Sequence, residues 1–227
     1  MDTKEMEARI KELEKEVRTL RDIEEIKNVQ KAYGYYLEHW MYEEVIDLFA
    51  DSPDCLLQLM AGVFLGKKGI RHYFETNKDL GQSPEFLHQV MQLSGIVDVE
   101  ADGKTAQGRW YGFGAIAMHR GNGVSQMFMG GIYEAVYIRE GGKWRILELR
   151  WNPIITAPPG QGWVKPERLA TGPFTGGTSK LKPDRATEID SRYPSGYIFP
   201  FHFKHPVTGK ETSEKKHNAT LNLKKYK

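Results

Sequence analysis

Apolar and polar residues follow two different periods along this chain, and the switch falls near residue 86. Residues 1 to about 30 are rich in Glu, Lys and Arg, with apolar residues at Met6, Ile10, Leu13, Val17 and Leu20. The 10-13-17-20 spacing alternates three and four residues, which is the seam of a coiled coil. It lasts about two heptads, fewer than the three or four that define a coiled coil from sequence. Two readings stay open: a surface helix lying on its own domain, or a helix that packs on another subunit. The narrow stripe favours the second, because a helical partner needs less width than a core face.

The helical period continues through Ile23, Ile26, Val29, Tyr33, Tyr36 and Leu37. A second apolar face follows at Tyr42, Val45, Ile46 and Phe49, and Pro53 stops it. Cys55 to Met60 predicts a strand, Ala61-Gly62 a turn, and Val63 to Leu65 a return strand. A helix is expected from Lys68 to about Lys78, with Ile70, Tyr73 and Phe74 turned inward.

From residue 86 the pattern predicts long strands joined by tight turns. They run from Phe86 to Val99, Thr105 to Met118, Gln126 to Arg139 and Lys143 to Trp151. The turns are Ala101-Asp102-Gly103-Lys104, Arg120-Gly121-Asn122-Gly123 and Glu140-Gly141-Gly142. Glycines within the strands, such as Gly95, Gly112 and Gly114, predict bulges and bends that let a sheet wrap into a cone. Helices first and a meander second predict an α+β fold, a cone-shaped barrel whose curved antiparallel sheet is packed by the N-terminal helices.

After Trp151 periodicity is lost. Pro153, Pro158, Pro159, Pro166, Pro173 and Pro183 interrupt the chain, yet Tyr193, Tyr197, Phe199, Phe201 and Phe203 make it too aromatic for a disordered linker. The expected plan is therefore a leading amphipathic helix at 1–22, a barrel at 23–152, an irregular arm at 153–210 that wraps its own barrel or a neighbour, and a loose polar tail at 211–227.

Composition narrows the functions. Hydrophobic residues make up 40% and charged residues 27%, so most of the chain should fold. The net charge is +2, from 32 basic and 30 acidic residues, and gives no electrostatic case for nucleic acid. The lone cysteine, Cys55, cannot form an internal disulfide and sits in an apolar run. No apolar run reaches membrane-spanning length. The first residues are charged and helical rather than a signal peptide, so the cytoplasm is the expected location.

The chain has no phosphate loop, dinucleotide fingerprint, zinc spacing or nucleophile elbow. The histidines (His39, His72, His88, His119, His202, His205 and His217) form no helical pair around a carboxylate, so neither metal nor cofactor is expected. Candidate chemistry rests instead on Tyr33, Tyr36, Glu38 and His39 of the first helix, on His88, on Arg109, Trp110 and Tyr111, and on Trp144 and Arg150. From the residues alone, a histidine beside Phe86 and Leu87 is either a hydrogen-bonded structural residue or a pocket residue. His202 and His205, in the aromatic arm, are expected to pack.

Three stretches resemble SnoaL-like members of the nuclear transport factor 2-like superfamily. They are Ile23-Glu24-Glu25-Ile26-Lys27 with Tyr33 and Phe49, then Gly103 to Tyr111, then Gly142-Lys143-Trp144-Arg145-Ile146. The resemblance covers residues 15–152. Its relatives include scytalone dehydratase, ketosteroid isomerase and the bile-acid 7α-dehydratases, and also binding proteins without activity. It implies a buried histidine, His88, acting as acid and base, Tyr33 polarising a substrate oxygen, and Glu38 orienting the histidine. It also places the family's late arginine on Arg150, read either as a substrate anchor or as a structural ion-pair partner. Tyr36, Trp110 and Phe113 are further candidate substrate contacts, with barrel packing the competing reading for Trp110 and Trp144. The family's acid on the second long strand is missing, since Gly112-Phe113-Gly114 follows Tyr111.

The implied activity is that of a cofactor-free lyase or isomerase of the dehydratase type. It would act on a hydrophobic cyclic or aromatic ketone or alcohol, such as a steroid or polyketide, in a homo-oligomer (dimer or trimer). The alternative is a binding protein with the same barrel. Hydration or epoxide opening would need a carboxylate cluster that the sequence does not show.

Overall fold

The structure, a computed structural model, describes residues 2–120, 123–160, 181–187 and 201–211. The chain opens with one uninterrupted helix, α1 (Thr3–Glu38). Its start is fixed by a capping box: the Asp2 carboxylate accepts from the Glu5 amide at 2.8 Å, and the Glu5 carboxylate accepts from the Asp2 amide at 2.8 Å. The leading helix and the first barrel helix are thus one element, with no break at residue 22. Along it, Asp22, Ile26, Gln30, Tyr33 and Leu37 are buried, while Met6, Ile10, Leu13, Val17 and Leu20 stay exposed. Residues 22–37 therefore hold the helix to the body, each buried apolar side chain contributing roughly 1.5–3 kcal/mol.

The helix ends in a Schellman motif. Met41 N–H donates to the Tyr36 carbonyl at 2.9 Å and Trp40 N–H to the Leu37 carbonyl at 3.1 Å. The left-handed residue of this motif, usually glycine, is Trp40 with φ 52°. Next come α2 (Tyr42–Asp47), the hairpin β1 (Leu56–Leu59) and β2 (Gly62–Leu65), and α3 (Gly66–Thr76). The hairpin turn lies at Met60-Ala61, one residue before the expected position.

The meander follows as β3 (Leu87–Val99), β4 (Thr105–Arg120), β5 (Gly123–Glu140) and β6 (Lys143–Ala157). The sheet order is β2-β1-β6-β5-β4-β3, with β1 parallel to β6 and the other pairs antiparallel. The sheet is curved and open, with β2 and β3 as its edges, and the helices complete the cone. Bending at β3 comes from a bulge between Leu93 and Ile96. There the Trp110 ring packs onto the backbone of Gly95, where a Cβ would lie 1.9 Å from it. β6 runs six residues past the expected boundary at Trp151, through Pro153. Proline is tolerated because a register shift in β5 falls opposite it and β1 pairs only with residues 148–150.

The core lies between the inner sheet face and α1, α2 and α3. Its polar centre is a chain of bonds. Trp110 Nε1–H donates to the Tyr137 hydroxyl at 3.1 Å, which donates to Gln30 Oε1 at 2.6 Å; Gln30 Nε2–H donates to Gln92 Oε1 at 2.7 Å. This stitches α1 to β3 and β5. A second anchor lies nearer the exposed half of α1, where the Asp22 carboxylate accepts from Arg139 and, at 3.1 Å, from Trp144 Nε1.

Two described parts of the C-terminal region lie on their own barrel. Residues 181–187 run along edge strand β2. The Val63 N–H donates to the Arg185 carbonyl at 2.8 Å and the Leu65 N–H to the Asp184 carboxylate at 2.8 Å. This covers a strand edge that would otherwise be free to pair. Phe201 sits over the Arg109 guanidinium at 4.6 Å, and His202 lies 3.7 Å from both Asp98 and Glu134. Tyr193, Tyr197 and Phe199, the tail beyond Glu211, and the turn residues Gly121 and Asn122 lie outside the described residues.

Candidate functional site

Strand parity places His88 on the inner sheet face, because its neighbour Val90 is buried while Leu87 and Gln89 are exposed. It opens onto a cavity between α1, the β1–β2 hairpin, α3 and the inner sheet. The cavity spans about 660 Å³ with its open mouth included. Tyr33 and Leu37 enter it from α1, Tyr73 and Phe74 from α3, and Tyr133 and Trp151 from β5 and β6. Met60, Met118, Met127 and Met129 supply much of the remaining wall. Thioether side chains adjust their shape cheaply, so this wall suits a rigid apolar guest.

Two polar atoms are conspicuous in this greasy lining. The Tyr33 hydroxyl and His88 Nδ1 are both shut off from solvent and have no hydrogen-bond partner. Such orphans cost about 1–3 kcal/mol each, so a native fold keeps them where something else uses them. Burial pulls the His88 ring down from 6.5 to about 4, against a smaller opposing contribution from its own backbone. The imidazole is therefore neutral near pH 7 and holds a free lone pair. Burial pushes the Tyr33 hydroxyl well above its usual 10, so it remains a protonated donor. Tyr73 is pushed up to about 12 by the same cause. Burial also raises Tyr133, against a hydrogen bond with Gln92 that ties it to the buried chain of bonds.

His88 is held by aromatic rings rather than by an acid. Its ring centroid lies 6.0 Å from Trp40 and 6.5 Å from Phe86, the latter stacked at 19°. Among the described residues that line the cavity, none is a carboxylate. Gly112, where a strand acid would stand, has no room for a side chain: a Cβ there would meet Trp151 at 2.5 Å and Tyr133 at 2.7 Å.

The fold brings Tyr33 and His88 together and sets the other sequence candidates elsewhere. Glu38 lies in a separate groove with Lys31, Tyr35 and Gln89, and accepts from Gln89 Nε2 at 3.4 Å. It does not touch His88, whose Nδ1 has no partner. The physical reason is helical phase: Glu38 sits five residues, about 140° of turn, from Tyr33. Arg150 faces away from the cavity and donates to Glu148 at 2.7 Å and Gln58 at 3.1 Å. Trp110 is buried against Tyr137 and Gly95, Phe113 is 40% exposed on the outer sheet face, and Tyr36 packs against the core without lining the cavity. Cys55 is buried, and burial pushes its thiol up to about 12, as suits a core residue. Among the described residues no group of His, Cys, Asp and Glu has metal-binding geometry, and no helix is long and apolar enough to cross a membrane.

Tyr73, Tyr133, Trp151 and the methionines were not among the sequence candidates. Tyr73 carried a signal, since it shares the inward face of α3 with Ile70 and Phe74.

The sequence matches a known family. The SnoaL-like domain model matches residues 18–150, and the chain belongs to that family. No curated protein matches it. Several solved structures share the fold. One is a proposed aromatic ring hydroxylase from Novosphingobium aromaticivorans, 18% identical, with a TM-score of 0.53, covering 61% of this chain and 94% of that one. Another is a proposed scytalone dehydratase from the same organism, 15% identical, with a TM-score of 0.51, covering 64% and 97%. A third is a type 3 LinA hexachlorocyclohexane dehydrochlorinase from Novosphingobium barchaimii, 14% identical, with a TM-score of 0.50, covering 66% and 99%. At these identities the likeness shows the fold alone.

Proposed function

We propose that this protein is a cofactor-free dehydratase or isomerase for a hydrophobic cyclic ketone or alcohol, with His88 as acid and base and Tyr33 as the oxygen-polarising donor. The observation that carries this is the pair of buried, unpartnered polar atoms, His88 Nδ1 and the Tyr33 hydroxyl, on one apolar cavity. An elimination beside a carbonyl needs that pair. The neutral imidazole takes a proton from the C–H next to the carbonyl, and the electron pair of that bond becomes the enolate. Tyr33 donates a hydrogen bond to the enolate oxygen. The enolate collapses to a C=C bond, the hydroxyl leaves, and the proton on His88 goes with it as water. Positioned proton transfer of this kind contributes typically ~10²–10⁴-fold. The dehydratase and dehydrochlorinase among the similar structures support elimination chemistry as the class.

Arg150, Glu38, Trp110, Phe113 and Tyr36 have no contact role in this proposal, because none lines the cavity. The chain acts as a homo-oligomer, a reading that rests on the exposed apolar stripe of α1.

A second reading is a non-catalytic binding protein, favoured by the lack of a carboxylate beside His88. A panel of cyclic β-hydroxyketones, followed by absorbance of the conjugated product and by native mass spectrometry, separates the two. Loss of water on incubation supports the dehydratase. Saturable binding with the substrate unchanged supports the binding protein.

A further inference from the structure

The first half of α1 carries more apolar surface than a lone helix keeps. Met6, Ile10, Leu13, Val17 and Leu20 are 46%, 53%, 43%, 46% and 64% exposed. Nothing in the described part of the chain packs on them, and Ile10, Leu13 and Val17 line an open groove together with Glu14 and Arg21. The helix beneath the stripe is already formed, since it is continuous with the buried residues from Asp22 onward. A partner helix would therefore meet a prepared surface, without the nucleation cost that makes short isolated helices marginal.

The stripe also specifies its partner. In heptad terms Ile10 and Val17 occupy a, and Leu13 and Leu20 occupy d. Within parallel coiled coils, β-branched residues at a with leucine at d favour two strands. The flanking positions agree. In a parallel pair each g residue faces the e residue five positions further along the partner. Arg9 at g then faces Glu14 at e, and Glu16 at g faces Arg21 at e, both of opposite sign. In the single chain Arg9 instead pairs with Glu12 of its own helix at 2.5 Å, an exposed contact that is readily exchanged.

We propose that residues 6–21 form a parallel two-stranded coiled coil with the same segment of a second copy of this chain, in register, with Arg9–Glu14 and Glu16–Arg21 pairs on both flanks. This deepens the homo-oligomer reading above and rests on it, and its test distinguishes the two.

The test uses the full chain and analytical ultracentrifugation. Arg9→Glu with Arg21→Glu puts like charges opposite each other at every flank. The expected result is dissociation at the seam, with the dissociation constant raised by about tenfold or more. Adding Glu14→Arg and Glu16→Arg restores opposite signs and should restore association. All four positions are exposed, and far-UV circular dichroism confirms that the body still folds. Orientation is read from Met6→Cys under mild oxidation. A parallel pair in register places both copies of position 6 in contact and gives a disulfide-linked dimer, an antiparallel pair holds them at opposite ends of the seam, and buried Cys55 does not compete. An oligomer unchanged by the charge reversals overturns the coiled coil and leaves the homo-oligomer reading standing. A monomeric wild-type chain overturns both. Failure of Met6→Cys to cross-link overturns the parallel register.

Discussion

The indole of Trp40 leans on the imidazole of His88, with ring centroids 6.0 Å apart and planes tilted by 57°. Trp40 does this from a backbone conformation that favours glycine, φ 52°. Its ring also meets Phe74 at 5.6 Å and Phe86 at 5.7 Å. The motif that ends α1 thus sacrifices some backbone ease to seat a ring beside the candidate base. Glycine at this position would relieve about 1 kcal/mol of strain but would lose a buried ring worth about 3–5 kcal/mol. Trp40→Gly is therefore expected to cost a net ~2–4 kcal/mol in urea denaturation. It should also admit water to His88 and raise its pKa towards 6.5, as NMR titration would show. Trp40→Phe should keep most of both properties.

His88 makes stability depend on pH with a definite sign. Its folded pKa is depressed to about 4 from 6.5, so between those values the unfolded chain binds more protons than the folded one. The folded state's advantage is complete above pH 6.5 and is lost as pH falls towards 4, by roughly 3 kcal/mol. Denaturation at pH 7 and pH 4.5 should show this loss in the wild type and a smaller one in His88→Asn. An equal loss in both would place the acid sensitivity elsewhere.

Gln30 holds α1 to the sheet from a fully buried position, accepting from Tyr137 and donating to Gln92. Gln30→Leu leaves the Tyr137 hydroxyl and Gln92 Oε1 without their partner. A loss of about 2–4 kcal/mol is expected, from two buried polar groups left unsatisfied. Because Gln92 also bonds Tyr133, a cavity-lining residue, ligand affinity should fall with stability. Thermal denaturation with and without ligand measures both.

How much of this was legible beforehand follows from which signals are local. Apart from the C-terminal end of β6, the limits of β3 to β6 came out to within three residues of the apolar runs and glycine turns, because those are fixed by neighbours in sequence. Tyr33 and His88 were identified through the family resemblance, and the structure puts both on one cavity. Glu38 was misplaced, although helical phase alone separates it from Tyr33 by about 140°. Arg150 and Phe113 were similarly open to strand parity, since each stands between residues that face the other way. Trp40 was not legible: a tryptophan in a left-handed helix cap contradicts local preference, and only packing from α3 and β3 explains it. β6 was cut short at Pro153 because proline breaks an ordinary central strand, and its tolerance depends on a pairing edge that sequence does not display.

The most direct test asks whether His88 moves a proton on a bound ligand. With a cyclic ketone that binds, exchange of the hydrogen next to the carbonyl for deuterium can be followed by NMR in heavy water, whether or not a hydroxyl leaves. The expected result is catalysed exchange by the wild type, a fall of ~10²–10⁴-fold in His88→Asn with ligand affinity retained, and a smaller fall in Tyr33→Phe. Exchange at the wild-type rate in His88→Asn would contradict the assignment of His88 as the acid–base residue.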